Sequence, residues 1–137
     1  MAITTAICNS YKQEILEGVH ASTDTYKIAL FTSSATLGAA TTAYSTTNEV
    51  SGTGYTAGGV NLANFTSGLD GSTAYITFDD ASWANATITA RGALIYNASK
   101  SNKAVAVFDF GGDVVSTSGT FTVDLPVAGA NALIRIG

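Results

Sequence analysis

The chain has 137 residues, enough for one domain that buries its own core, with 46% hydrophobic and only 12% charged residues. Its net charge is −4 and only six residues are Lys or Arg, too few and too scattered for phosphate neutralisation, so a nucleic-acid partner is not expected. One cysteine, Cys8, and one histidine, His20, leave no disulfide and no Cys-based zinc site. No apolar run approaches the roughly 20 residues that span a bilayer, so no membrane partner is expected either.

Residues 5–18 form the one helical candidate. Ile7, Tyr11 and Ile15 recur every four residues, with Cys8 and Val19 extending the stripe. Thr5 or Ser10 could cap the start, and Gly18 is the natural stop. Such a helix would plug one end or face of the core, or serve as an arm docking on a neighbouring subunit. The N-terminus lacks a signal-peptide pattern, so folding in a cytosol is expected.

Beyond residue 25 the period becomes two. In Thr25–Thr32, Tyr26, Ile28 and Leu30 share one face of an expected strand. Residues 33–62 are a long Ser/Thr/Ala/Gly stretch, and a loop of that length inside a compact domain is often functional or interface-forming. Strands are then expected at 72–78, 91–97, 103–110, 120–125 and 132–136. Turn signals fall at Asp70-Gly71, Gly111-Gly112-Asp113 and Ser118-Gly119. Short strands at this spacing predict an all-β fold: an antiparallel β-sandwich, jelly-roll or immunoglobulin-like, with one short N-terminal helix, spanning 1–137 as a single domain.

The segment SGTGYTAGGVNL (51–62) contains G-x-G-x-x-A, a loose form of the dinucleotide fingerprint. That motif works only where the glycines join a strand to a helix whose amides hold pyrophosphate. Here a polar run precedes them and no helical stripe follows, so they are read as permitting positive φ and close backbone approach. No Ser lies in G-x-S-x-G to partner His20. Asp79 and Asp80 are strand neighbours pointing to opposite faces, and Asp113 beside two glycines suits a turn, so neither they nor Asp109 make a carboxylate pair. Calcium at Asp70, Asp79 and Asp80 would match no EF-hand spacing. The three Asn-x-Ser/Thr sequons at Asn64, Asn85 and Asn97 read as by-products of composition. No catalytic, metal or cofactor site is expected.

Aromatic residues remain. Tyr26, Tyr75, Tyr96, Phe78, Phe108 and Phe121 fall within expected strands and read as core. Tyr44, Tyr55 and Trp83 lie in or beside irregular segments. Each is either a buried anchor under a loop or part of an assembly contact, where Tyr and Trp are favoured, and a sugar site would use the same residue types.

The features TDTYKIALF, TTAYSTTNEVSGTGYTAGG, ITFDDASW, ARGALIY and AVFDFGG, taken together over nearly the whole chain, resemble small structural proteins encoded in tailed-bacteriophage genomes and prophages. The resemblance implies a virion component, assembled in the bacterial cytoplasm, and brings no catalytic residues. The leading expectation is a head decoration or cement protein, a homo-oligomer that bridges major capsid protein subunits through residues 33–62 and the N-terminal segment. The runner-up is a tail, baseplate or fibre component, or a glycan-binding module using Tyr44, Tyr55 or Trp83.

Overall fold

The computed structural model describes residues 2–129 and 132–136. It is an all-β, sandwich-like arrangement of two antiparallel sheets with one short helix, as the strand spacing predicts. In chain order the elements are β1 (Ala6–Ile7), α1 (Asn9–Leu16), β2 (Tyr26–Phe31), β3 (Val60–Asn61), β4 (Thr66–Asp70), β5 (Thr73–Thr77), β6 (Ala81–Asn97), β7 (Lys103–Val123) and β8 (Ile134–Ile136). The larger sheet has the order β1-β7-β6-β2-β3 and the smaller β4-β5-β8.

The helix begins at Asn9, four residues later than the 5–18 candidate, because residues 6–7 pair with Val107 and Ala106 as a strand. Neither proposed cap acts. The N-cap is Cys8 without a side-chain bond, while the Thr5 Oγ1 accepts from the Asp109 amide at 2.8 Å and so pins the entry to β7. The C-terminus behaves as expected: Gly18 has φ +74°, its amide donates to the Ile15 carbonyl, and the Val19 amide donates to that of Glu14. This is the Schellman arrangement that only a residue tolerant of left-handed backbone completes cheaply. Cys8 and Tyr11 are buried against the sheet, while Leu16 is 87% exposed.

His20 locks this corner. The Asn97 Oδ1 accepts from the Ser99 amide, which aims Nδ2 at both the Asp24 carboxylate and the His20 Nδ1. A ring nitrogen facing a donor must be the unprotonated one, so Nε2–H donates to Glu14 at 2.9 Å. The chain's one histidine, its side chain only 2% exposed, therefore joins the end of α1 to the end of β6.

Three expected strands prove to be parts of two long ones. The segments 91–97, 103–110 and 120–125 belong to β6 and β7, which pair from Ala81↔Val123 to Asn97↔Lys103. The expected turns at Gly111-Gly112-Asp113 and Ser118-Gly119 are not turns. Gly111 (φ +81°) and Ser118 (φ 48°) lie within β7, and the β6–β7 register shifts along its length. Bulges use the same residue types as turns, since both need left-handed backbone. The first half of β6 was missed for a related reason. Ala81 and Trp83 point inward, then the phase slips across Asn85 (φ 51°), and Ala86, Ile88 and Ala90 point inward instead. A strict period of two cannot survive that slip.

The core lies on both faces of β2. Tyr26 packs against Phe65 and Phe78, centroids 5.8 and 5.4 Å away, which brings together the larger sheet and the segments flanking β4 and β5. The opposite side of the strand also disappears from solvent, with Ala29 and Phe31 almost wholly buried. What covers that side is the long loop.

Candidate functional site: the tyrosine-anchored loop

Residues 33–59 contain no helix or strand of their own, only isolated bridges. They are nevertheless tied down along the open edge of β2. Val60 pairs with Ile28, the Val50 amide donates to the Leu30 carbonyl, the Thr32 amide donates to Asn48, and the Tyr55 hydroxyl accepts from the Leu30 amide. An edge strand's free backbone groups invite pairing with other chains, and this loop satisfies them from within. Further along, the Tyr44 amide donates to Asn102 and the Ala104 amide to Thr42, tying the loop to the β6–β7 turn.

The glycines of 51–62 make the close approach possible. At Gly59 (φ +79°) a Cβ would stand 1.7 Å from the Ile28 carbonyl oxygen, and at Gly52 (φ +155°) 2.5 Å from that of Thr87. Only glycine fits where one backbone lies directly on another. The fingerprint-like motif is thus part of the loop's seat on the sheet.

At its centre stands Glu49. Its Oε1 accepts from the Tyr44 hydroxyl at 2.6 Å; its Oε2 accepts from the Tyr55 hydroxyl at 2.5 Å and the Gly58 amide at 2.8 Å. The Gly58 carbonyl in turn accepts from the Tyr96 hydroxyl at 2.7 Å, and the Tyr44 and Tyr96 rings stack at 4.5 Å. Burial raises the pKa of Tyr44 and Tyr55 well above the ordinary phenol value, and the bond each donates to the Glu49 carboxylate raises it further. Both hydroxyls therefore stay protonated and keep donating. A carboxylate with three donors is well compensated for leaving water.

The three aromatics singled out from sequence meet here in part. Tyr44 and Tyr55 share Glu49, and Trp83 reaches them through Tyr55, 6.0 Å between centroids. Trp83 is only 4% exposed and sits edge-on to Phe121. Within the chain all three anchor the loop. Glu49 itself was overlooked, although the sequence carries a signal: it is the only charged residue between Lys27 and Asp70. A lone acid among tyrosines and glycines is a candidate for burial with partners.

The outer side of the loop, with Ala2 and Thr4, forms an open groove of about 830 Å³ lined mainly by short residues such as Ala35, Gly38 and Thr41, beside Phe31 and Leu37, with no charged side chain among the described residues. Three of the acids singled out from sequence are engaged elsewhere. Asp79 accepts from Asn64, Asp80 from the Leu125 amide, and Asp109 from Arg91 and the Gly111 amide. Among the described residues no group of three or more His, Cys, Asp and Glu is placed to hold a metal ion, and no helix is long and apolar enough to cross a membrane. No protein-family model matches the chain, and no curated protein or solved structure does.

Proposed function

We propose that the chain is a structural protein of a tailed-bacteriophage virion, a head decoration protein that binds the assembled capsid lattice and stabilises it. The observation that carries the reading is the loop: some thirty residues with almost no charge, held in one conformation from beneath by Glu49 and its tyrosines. A surface ordered in advance loses little entropy on docking, and short side chains lose least. Repeated over a symmetric shell, weak contacts of this kind add up. The sequence resemblance supports a virion component without choosing head from tail, and the reading assigns no residue a catalytic role.

The decisive experiment is cryo-electron microscopy of the virion together with binding of the purified chain to its empty capsids. The reading expects density repeated over the shell with residues 33–62 facing the capsid protein, and lower occupancy for Ala40→Glu, which adds a charge to the groove. Density confined to the neck, tail or fibres would refute decoration and favour the second placement. A glycan-binding role gains little from the three aromatics, since Trp83 is buried and both tyrosine hydroxyls are turned in on Glu49.

A further inference from the structure

The larger sheet protects its edges. Its outer strands β1 and β3 are two residues long, and the loop covers the rest of the β2 edge. Among the described residues the smaller sheet does not. On one side it ends in β8, three residues long, and on the other in β4, five residues in unbroken register with β5 from Thr66↔Thr77 to Asp70↔Thr73. All five residues of β4 are exposed. The strand has no Pro, Lys or bulge, the usual devices against edge-to-edge pairing.

We propose that the β4 edge is a self-association surface, on which a second copy of this chain pairs antiparallel about a two-fold axis at Gly68. Self-complementarity selects this occupant. The register sets Gly68 against the partner's Gly68, Ser67 against the partner's Leu69, and Thr66 against the partner's Asp70. No like charges face each other, although the chain as a whole is acidic. Gly68 carries no side chain at the axis, and the Tyr75 ring of the neighbouring strand already lies over it, its hydroxyl 2.8 Å from where a Cβ would be. An aromatic over an edge glycine helps to pin such a strand's register.

The apolar pattern agrees. Leu69, Ala74 and Ile136 form one cross-strand row on one face of the small sheet, and Leu69 and Ile136 are 72% and 57% exposed. Two-fold pairing brings the two Leu69 side chains to diagonal positions, about 7–8 Å apart, where large aliphatic groups touch. The six-stranded sheet so formed also closes, because an isologous contact uses each β4 edge once and leads to a dimer rather than a fibre. A five-residue ladder is a small interface, so affinity is expected at roughly micromolar or weaker.

This inference does not rest on the capsid reading, and a dimer that ignores capsids would overturn only the latter. The test is sedimentation equilibrium of the full chain from low micromolar to near-millimolar concentration, alongside Leu69→Lys and Ser67→Lys. Both substitutions are at exposed positions, and unchanged melting temperatures would show that the fold is intact. The wild type should populate a dimer, with backbone amides of β4 gaining exchange protection as concentration rises. Each variant should weaken the dimer by at least about tenfold, because each lysine comes to a diagonal position beside its own copy across the axis, and Leu69→Lys also removes the apolar pair. A wild type that stays monomeric throughout would overturn the proposal and leave the edge to a different protein. Dimers of unchanged strength in both variants would also overturn it, since the copies would then meet elsewhere.

Discussion

Replacing Glu49 with alanine tests whether the long loop is held from beneath. The substitution removes the acceptor of two phenol hydroxyls and one amide. A hydrogen bond to a charged group contributes about 1.5–3 kcal/mol, so three such bonds bound the loss at about 9 kcal/mol. Glu49 is only half-buried, so water can reach some of the orphaned donors, and the carboxylate no longer has to be dehydrated. A net loss of about 3 kcal/mol follows, the size expected when a partly buried network is broken. With unfolding entropy near 2.1 cal/mol/K per residue over 137 residues, that lowers the melting temperature by about 10 °C. Glu49→Gln is the sharper control. The amide can keep its oxygen toward Tyr55 and Gly58 and turn its NH₂ to Tyr44, whose hydroxyl rotates to accept. It should cost only about 1 kcal/mol. Chemical denaturation of both variants, beside the exposed Glu17→Ala, gives the comparison. If Glu49→Ala falls within about 0.5 kcal/mol of Glu17→Ala, the cluster does not hold the loop and the argument for a pre-ordered surface fails.

Three other outcomes are expected. Gly59→Ala should not give a stable fold, because its Cβ would lie 1.7 Å from the Ile28 carbonyl oxygen at φ +79°; a variant melting like wild type would refute the close approach of loop and sheet. Stability should decline at both ends of the pH scale. Bonds from Asn97, Lys100 and the Ala21 amide hold the Asp24 carboxyl at about 2, below its ordinary 3.8, so its contribution is complete above that value and is lost as pH falls toward 2. Burial, with Asp24 nearby, pushes Tyr26 up to about 12 from 10.0, so its contribution is complete below 10.0 and is lost as pH rises toward 12. Denaturation midpoints of wild type and Asp24→Asn should therefore converge in acid, and an acid limb unchanged in the variant would count against the assignment. Lastly, Cys8 is wholly buried, and burial, then Glu14, raises its thiol to about 11. It should resist thiol reagents in native buffer and react at once in denaturant, whereas rapid native labelling would show that α1 opens readily.

Periodicity alone determined a good deal. The two-residue alternation of Tyr26, Ile28 and Leu30, the Gly18 helix stop and the Asp70-Gly71 turn all depend on neighbours in sequence, and the structure keeps each of them, whereas it takes Ile7 out of the helical stripe into β1. A β-sandwich class was legible from that local information, as was the close backbone approach at the 51–62 glycines. Tertiary structure decided what local information leaves open. Positive φ at Gly111 and Ser118 suits a turn or a bulge equally, and only pairing with β6 along the whole of β7 made these residues bulges. Likewise Glu49, nothing more in the sequence than a solitary acid, acquired its role when Tyr44, Tyr55 and Gly58 converged on it, because a carboxylate leaves water only where several donors arrive together. Residues 33–62 look irregular because their order comes from the edge of β2 and a shared carboxylate rather than from any repeating bond of their own.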